Sequence, residues 1–468
     1  MTYDYGYRKK QETNDKTRNR LLFGQNVRTN PVPVWTARQE PDSFVIITDP
    51  ISKKSIGFSK YLLARGVLGI GAAGTGKTNL NLILEKAILE TMESDAVHLV
   101  FDPKGDYLKQ VVKKVPVKNL FIISSDSRYR HISKYWNMFA EIMSRGSDGR
   151  LAYTPDCDEI AFELVSSFFQ EMESETQPIF PAMAGQLLTA MIIYYISCHW
   201  RNQPYRLNNR DFLNFVYAQK GEDIKKILEM KGMERYRSCA NYISGGQSGN
   251  QTQGVLSYLN SVLRKIFVGS FAEADSERSF SVREIFERNQ KAVIVIVYDL
   301  MRGNTLGPIY KILLDLSLKY SLGLLNGKKR NYYLLIDEWG MVPKLNYMSI
   351  ALSYGRSQGV KVICGIQNVS AIQKIYGEEE ATAIMAGFQT LIGFRVADYP
   401  SRQYLMNHFG NNYQHYSYVD LNRNLHVQRE GYSLEDWEIL SLSCGQAAIY
   451  MVDEKPFFFQ FPKYGEEV

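Results

Sequence analysis

The chain has 468 residues, which is enough for two or three domains of ordinary size. Hydrophobic residues make up 45% and charged residues 22%, as in an ordinary soluble globular protein, and the net charge of +6 permits an anionic partner without demanding one. The five cysteines are far apart and never form a C-x-x-C pair. This spacing excludes a disulfide framework and a cysteine zinc site, and it favours a reducing, cytosolic compartment.

The first element in chain order is a polar arm predicted for residues 1–42. It is rich in Lys and Arg and lacks the apolar core of a secretory signal peptide. Its end, Asn30-Pro-Val-Pro-Val-Trp35, is typical of an extended, partly disordered segment. The arm could contact lipid or nucleic acid, but a solvated arm is the simpler interpretation. Short strands are predicted after it, at 43–48 and 56–58.

A glycine-rich loop comes next, between an apolar strand and a helix with apolar residues at helical spacing. The loop matches the G-x-x-x-x-G-K-[ST] pattern of P-loop nucleotide hydrolases. Its glycines let backbone N–H groups surround phosphates, Lys77 supplies a charge for the β- and γ-phosphates, and Thr78 supplies a hydroxyl for Mg²⁺. The predicted phosphate-binding residues are Gly71, Ala72, Ala73, Gly74, Thr75, Gly76, Lys77 and Thr78.

Apolar runs of strand length continue on both sides of a long helical stretch. They lie at 96–101, 120–124, 292–298, 332–336, 361–366 and 390–394. Alternation of strands and helices predicts an α/β fold with a mainly parallel sheet, interrupted by an all-helical insertion. The expected boundaries are 43–145 for the first part of the sheet domain, 146–265 for the helical insertion and 266–468 for the second part.

One stretch inside the insertion is apolar enough to be considered as a membrane span. Residues 176–200 contain no Asp, Glu, Lys or Arg. They do contain several polar residues and two prolines, and their apolar core is shorter than the ~20 residues that a bilayer requires. We therefore expect a buried helix.

Two acidic residues follow the strand predicted at 332–336. Asp337 and Glu338 would lie at the carboxyl edge of a parallel sheet, where ligands bind. Asp337 is expected to hold Mg²⁺, and Glu338 to polarise the attacking water as general base. Gln367 ends the next strand and would face the γ-phosphate or that water. Arg356 lies where it could project across a subunit interface and stabilise phosphoryl charge.

The combined series of motifs resembles the type IV secretion coupling proteins, the TraG and TraD-like ATPases of conjugation. The resemblance covers most of residues 60–400, and the tail is also similar, in Ser433-Leu-Glu-Asp-Trp437 and in the segment from Pro456 to Pro462. The motifs that carry it are Arg65, Gly71 to Thr78, Asp102-Pro-Lys-Gly-Asp106, Asp337-Glu338, Gly355-Arg-Ser-Gln-Gly359, Gln367 and Tyr376-Gly-Glu378.

This resemblance implies a RecA-like P-loop motor domain carrying an all-helical domain, assembled as a homo-hexameric ring. Such proteins use ATP and Mg²⁺ to bring relaxase-bound single-stranded DNA, or effector proteins, to a type IV secretion channel. By motif match, Lys77 and Thr78 contact phosphate and Mg²⁺. Gln367 is a sensor, Arg356 a trans-acting arginine and Arg65 a nucleotide contact.

Many family members begin with two membrane-spanning helices, and no such pair is recognisable here. The resemblance therefore implies a cytoplasmic protein, peripheral to the membrane, which associates with it through a partner, unless its start has been trimmed. Two other functions stay open. One is a DNA translocase or packaging motor of the FtsK and HerA type, and the other is an adaptor in which nucleotide is a structural ligand.

Residues that contact DNA are hard to identify from sequence. Lys328-Lys-Arg330 is a basic cluster that precedes the strand leading to Asp337. It therefore belongs at the end of the sheet opposite the nucleotide. It could line a pore, but a solvated turn is favoured because short charge runs are usually solvated.

Overall fold

The structure is a computed structural model that describes residues 20–27, 43–145, 150–169, 179–200, 206–243, 250–274, 278–301, 303–323, 330–420, 423–451 and 454–466. Most of the predicted arm lies outside the described residues. So do Lys328 and Lys329 of the basic cluster.

The described strands are β1 (Arg20–Gly24), β2 (Ser43–Thr48), β3 (Ser55–Ser59), β4 (Val67–Ile70), β5 (Val97–Asp102), β6 (Leu120–Ile123), β7 (Tyr135–Trp136), β8 (Ser144–Arg145), β9 (Leu151–Ala152), β10 (Ser279–Phe280), β11 (Ala292–Val297), β12 (Tyr332–Ile336), β13 (Val360–Ile366), β14 (Thr390–Gly393), β15 (Asn411–Asp420), β16 (Arg423–Tyr432), β17 (Gln446–Tyr450) and β18 (Phe457–Gln460).

The described α-helices are α1 (Lys60–Leu63), α2 (Lys77–Thr91), α3 (Asp106–Lys114), α4 (Met138–Ile142), α5 (Cys157–Phe169), α6 (Ile179–Trp200), α7 (Asn209–Ala218), α8 (Gly221–Glu229), α9 (Arg237–Ala240), α10 (Asn250–Ile266), α11 (Val282–Glu287), α12 (Gly303–Leu322), α13 (Met348–Gln358), α14 (Val369–Tyr376), α15 (Glu378–Ala386), α16 (Tyr399–Phe409) and α17 (Asp436–Ser441).

The chain forms two compact units. The first, unit 1, comprises residues 1–93, 331–344 and 348–468, and the second, unit 2, comprises 94–330 and 345–347. The domain boundaries expected from sequence, at 145 and 265, lie where strands give way to helices, whereas the two units are distinguished by their compactness. They stay a prediction.

Unit 1 contains six paired strands in the order β18-β17-β14-β4-β13-β12. The last four are parallel, and β17 and β18 pair antiparallel beside them. Every residue of β4, β12 and β13 is buried, as expected for apolar strands covered on both faces. Because these strands are parallel, the residues that follow β4, β12, β13 and β14 lie at one edge. We call it the carboxyl edge, and the opposite one the amino edge.

Unit 2 contains three parallel strands in the order β5-β11-β6. β11 lies between the other two although it follows them in sequence, after the helices. The described elements from α5 to α10 are all helical, apart from connecting segments. The helices therefore interrupt a parallel sheet within this unit.

Helix α6 contains the apolar stretch that we considered as a membrane span. In the described part of the chain, Ile179–His199 is the one segment long and apolar enough to cross a bilayer, with a mean hydropathy of 1.6. It is 61% buried, and it packs against α5 and α10. Length and composition alone are weak evidence for a span, since a core helix of a globular protein satisfies the same criteria. The packing agrees with the expected buried helix.

Unit 1 also contains a three-stranded antiparallel sheet in the order β1-β15-β16. The strands β15 and β16 form a hairpin in which Asn411 pairs with Tyr432 and Asp420 with Arg423. This sheet was not predicted from the sequence. β15 and β16 are mostly polar and do not alternate cleanly, and β1, Arg20-Leu-Leu-Phe-Gly24, lies within the predicted polar arm.

Candidate active site

The glycine-rich loop connects β4 to the first turn of α2. Gly74 and Gly76 have φ values of 74° and 124°, a region that other residues rarely adopt. Gly76 also lies against the backbone of Gly445, where an added Cβ would come within 3.0 Å of the Gly445 Cα. The Thr75 hydroxyl donates to the Ala72 carbonyl at 2.8 Å and tightens the turn. The loop therefore needs its glycines, and it ends at the N-terminus of a 15-residue helix, which favours phosphate.

Lys77 is almost completely buried, with 7% of its surface exposed. Its ammonium group donates to the Gly71 carbonyl and, at 3.1 Å, to the Ala72 carbonyl. The loop therefore holds a positive charge within its own curve, where the phosphates of a nucleotide need it.

Thr78 and Asp337 meet at the carboxyl edge. The Thr78 hydroxyl donates to Asp337 Oδ2 at 2.8 Å, and the Asn81 amide donates to Asp337 Oδ1 at 2.8 Å. A hydroxyl and a carboxylate in contact are suitable Mg²⁺ ligands. The described residues contain no group of three or more His, Cys, Asp or Glu side chains that could hold a metal. This sparse set fits Mg²⁺, which usually keeps water and phosphate oxygens as further ligands.

Glu338 directly follows Asp337 and contacts Gln367. The Gln367 side-chain amide donates to Glu338 Oε2 at 2.7 Å. Burial raises the pKa of Glu338, helped by the Asp337 charge, and the Gln367 hydrogen bond and the Lys77 charge oppose the rise. A carboxylate with a raised pKa, held by a neutral donor, is suited to accept a proton from water. Gln367 itself is exposed to solvent beside Glu338.

The backbone packing at this edge explains one further glycine. Gly365 lies in β13 beside the Asp337 backbone carbonyl, which an added Cβ would overlap. Gly71 N donates to the Ile366 carbonyl at 3.1 Å, and this bond joins the start of the loop to the end of β13. The two strands and the loop are therefore in direct contact where the predicted catalytic residues lie.

Arg65 and Arg356 lie together, but at the amino edge. Arg65 immediately precedes β4, and Arg356 lies near the end of α13, just before β13. Their guanidinium carbons are 4.2 Å and 4.7 Å from the centroid of the Tyr61 ring. Arg65 also donates to the Tyr61 hydroxyl. The structure thus brings the two arginines to each other and not to the P-loop of the same chain.

The Asp102-Pro-Lys-Gly-Asp106 motif lies in unit 2, and its first residue has a structural role. Asp102 is fully buried. Its carboxylate accepts from the backbone N–H groups of Gly105 at 2.7 Å and Leu108 at 2.9 Å, and also from those of Lys104 and Asp106. The carboxylate therefore holds the first turn of α3.

Arg330 is the one described residue of the predicted basic cluster, and it is buried. Its guanidinium donates to the carbonyls of Asp95 at 2.7 Å, Ile285 at 2.7 Å, Phe286 at 2.5 Å and Gln290 at 2.6 Å. For Arg330, both a pore-lining role and a solvated turn are wrong, because the side chain is buried and four of its N–H donors bind backbone carbonyls.

The C-terminal segment also contacts the P-loop, which sequence reasoning missed. The Gly445 N–H donates to the Thr75 carbonyl at 2.8 Å, and the Cys444 thiol donates to the Gly74 carbonyl at 3.2 Å. The side-chain amide of Asn79, on α2, donates to the Pro462 carbonyl at 2.8 Å, and its Oδ1 accepts from the Tyr464 N–H at 2.7 Å. Nothing in the local pattern of residues 443–464 indicates a nucleotide site. Asn81 was missed for the same reason.

Comparison with known proteins gives a family and a fold. A family model described as the type IV secretion-system coupling protein DNA-binding domain matches residues 50–416. The structure is similar to unbound bacterial conjugative coupling protein TrwBdeltaN70, with TM-score 0.72 and 18% identity over 96% of this chain and 95% of that one. Plasmid coupling protein TrwB in complex with ADP and Mg²⁺ matches with TM-score 0.67 and 18% identity, over 96% and 95% of the two chains.

VirB4 of Thermoanaerobacter pseudethanolicus is more distant, with TM-score 0.51 and 11% identity over 90% of this chain and 97% of that one. A comparison with curated protein sequences gave no match. At these identities the structural likeness establishes the fold, and the predicted RecA-like P-loop fold is confirmed.

Proposed function

Since the chain belongs to the type IV secretion-system coupling proteins, we propose that it is an ATPase that drives DNA towards a secretion channel. One observation carries the catalytic part of this proposal. At one edge of the unit 1 sheet, Thr78 contacts Asp337 and Gln367 contacts Glu338, at 2.8 Å and 2.7 Å. A phosphate loop, a metal-binding pair and a positioned base are the parts that hydrolysis of a nucleoside triphosphate needs.

Each side chain has a defined task in this mechanism. Bound Mg²⁺ neutralises phosphate charge and orients the phosphoryl group. The Thr78 hydroxyl and the Asp337 carboxylate would hold it, with Asn81 fixing the carboxylate by its 2.8 Å bond. Lys77 binds the phosphates as a point charge. Glu338 accepts the proton of the attacking water, and Gln367 orients the Glu338 carboxylate.

The two arginines at the amino edge complete the site from a second copy of the chain. β13 has seven residues, so about 23 Å of strand separates Arg356 from Gln367 at the other edge. Arg356 cannot span that distance to its own P-loop. Arg65 lies before the start of β4, the four-residue strand that leads to the loop, and its side chain contacts the Tyr61 ring instead. A homo-hexameric ring that presents one copy's amino edge to its neighbour's carboxyl edge delivers both guanidinium groups to the phosphates.

Membership of the family supports the proposed partners. We propose that the DNA is a single strand bound to a relaxase, and that the ring delivers it to type IV secretion channel components. In this proposal the motor works at the cytoplasmic face of a membrane and associates with it through a partner. TrwB, to which the structure is similar, is described as a conjugative and plasmid coupling protein.

The proposal is tested by the rate of ATP hydrolysis with and without single-stranded DNA. Glu338→Gln should reduce kcat by about 10²–10⁴-fold and still bind nucleotide, because only the base is removed. Lys77→Ala should lose nucleotide binding itself. Glu379→Gln is the matched control, since Glu379 is an exposed acid on α15, and it should keep the wild-type rate.

DNA dependence separates a motor from an adaptor. Single-stranded DNA should stimulate hydrolysis, and the stimulation should weaken steeply as salt is raised, because phosphate contacts release counterions. Full hydrolysis by Glu338→Gln would contradict the assigned base. A rate that single-stranded DNA leaves unchanged at every salt concentration would favour an adaptor in which nucleotide is a structural ligand.

A further inference from the structure

Unit 2 contains a cavity of about 340 Å³, lined by α4, α5, α12 and residues 346–347. Part of its wall is aliphatic and includes Ile160, Leu164 and Ile312. Its charged lining consists of three carboxylates, Glu141, Glu163 and Asp315, and one lysine, Lys319. It therefore combines apolar walls with an excess of negative charge.

Two of the three carboxylates already have their hydrogen bonds. Glu141 accepts from Trp136 Nε1 and from the backbone N–H groups of Val282 and Arg283, each at 2.9 Å. Glu163 forms an ion pair with Lys319 and accepts from the Tyr347 hydroxyl at 3.1 Å. Neither of these carboxylates needs a ligand.

Asp315 is different. It is only 5% exposed, and its Oδ1 accepts from the N–H groups of Asn346 at 2.8 Å and Tyr347 at 3.4 Å. Its Oδ2 is buried and has no hydrogen-bond partner among the residues that the structure describes. Leaving a buried polar atom without a partner is unfavourable, and more so if the atom is charged. Asp315 is part of the cavity lining, so a donor that enters the cavity would lie beside this carboxylate.

The electrostatics favour a cationic donor. Burial raises the pKa of Asp315 to about 7, although the Lys311 charge and the two backbone N–H groups oppose the rise. A cation beside Oδ2 would offset the unfavourable burial of the carboxylate charge. A divalent metal fits less well, because it needs several oxygen ligands and no group of three candidate metal ligands exists among the described residues.

We propose that this cavity binds an alkylammonium group, with the ammonium on Asp315 Oδ2 and the methylene chain against Ile160, Leu164 and Ile312. Long cationic side chains pack in this way, with the stem on apolar surface and the charge on a polar partner. The same chemistry is offered by a free polyamine and by a lysine side chain of a protein. The site lies outside the nucleotide-binding residues and does not depend on hydrolysis.

The test is a calorimetric titration of the full chain with two probes, 1,5-diaminopentane and Nα-acetyl-lysine amide. Wild type should bind at least one probe saturably. Asp315→Asn should weaken that binding about 10–100-fold, because it replaces a charge-assisted hydrogen bond by a neutral amide that cannot accept at this position. Glu159→Gln removes an exposed acid from α5, one of the helices that line the cavity, and should bind as wild type does.

A second variant covers the case in which Asp315→Asn folds poorly. Ile160→Phe fills the aliphatic part of the cavity without altering Asp315, and it should also weaken binding about tenfold or more because the methylene chain loses its space. Binding of both probes points to lysine side chains as well as polyamines, and binding of the diamine alone points to polyamines. If neither probe binds wild type, or if Asp315→Asn and Ile160→Phe bind as tightly as wild type, the cavity holds only water and the proposal is overturned.

Discussion

The two edges of the unit 1 sheet differ in charge. At the carboxyl edge lie Asp337 and Glu338, and burial raises the pKa of Glu338. At the amino edge lie Arg65 and Arg356, both stacked on the Tyr61 ring, together with the buried Lys361. The same parallel strands therefore begin beside a group of basic side chains and end beside a carboxylate pair, which lies close to Lys77 of the P-loop.

Under the proposed mechanism, a parallel sheet divides the catalytic groups between its carboxyl edge and its amino edge. The P-loop, Asp337 and Glu338 need to be within contact distance of one another. This is possible because they follow neighbouring parallel strands. A guanidinium group placed before the strand lies a full strand length away. It serves the same chemistry only if a second copy stacks edge to edge. Variants at either edge test this division.

The largest expected effect comes from the amino edge. Arg356→Ala should reduce kcat about 10³-fold or more, as loss of a phosphoryl-stabilising arginine does, and Arg65→Ala should act in the same direction. On the proposal that this arginine acts in trans, mixing Arg356→Ala subunits with Glu338→Gln subunits should restore part of the activity. Each subunit then supplies what its neighbour lacks. The measurement is ATP hydrolysis across mixing ratios at constant total protein.

Each variant measured alone at the same total concentration is the control for this mixing. If no ratio exceeds the sum of the two separate rates, Arg356 does not act across an interface. Full activity of Arg356→Ala by itself would show that the amino edge takes no part in hydrolysis.

The second prediction concerns the stability of the amino edge. Lys361 is 3% exposed, and its ammonium donates to Asn331 Oδ1 at 2.7 Å and the Gly359 carbonyl at 3.1 Å. Burial lowers its pKa to about 8 from its ordinary value of 10.5. The Lys60 charge also lowers this pKa, and the Glu93 charge opposes the change. Between these values the unfolded chain binds more protons than the folded one. The free energy of unfolding should therefore rise with pH across this window, by about 3 kcal/mol in full.

Chemical denaturation at pH 7.5 and pH 10 measures this contribution. Lys361→Met should remove it, so that the difference between wild type and variant changes by about 1–3 kcal/mol between the two pH values. Lys374→Met, at an exposed position on α14, is the matched control. A difference between wild type and Lys361→Met that stays constant with pH would show that Lys361 titrates alike in the folded and unfolded chain.

Much of the carboxyl edge could be predicted because its signals are local. The strand expected at 332–336 is β12, Tyr332–Ile336, and the strand expected at 361–366 is β13, Val360–Ile366. A buried parallel strand is a continuous apolar run, so its end is visible where polar residues begin. Asp337, Glu338 and Gln367 occupy those ends, and the structure brings them to one edge as expected.

The remainder depends on contacts between distant parts of the chain. Asn81 and Asp337 are separated by 256 positions, and Cys444 and Gly74 by 370. Neither pair has a local signature, because a polar residue on a helix or in a loop is usually solvated. The location of Arg65 could have been inferred, since a residue that precedes a parallel strand lies at the edge opposite the one that follows it.

The smallest expected effect is at the carboxyl edge, and it concerns pH. The hydrogen bond from Gln367 lowers the pKa of Glu338 against the larger effect of burial. Gln367→Ala removes that bond, so the pKa of Glu338 should rise further and the acid limb of the kcat profile should move to higher pH. On that acid limb the rate of Gln367→Ala should fall below that of wild type, and the loss should be recovered as the pH rises and Glu338 ionises. Gln373→Ala, on helix α14 after Gln367, should leave the profile unchanged. If the profiles of Gln367→Ala and wild type coincide, the glutamine does not tune the base.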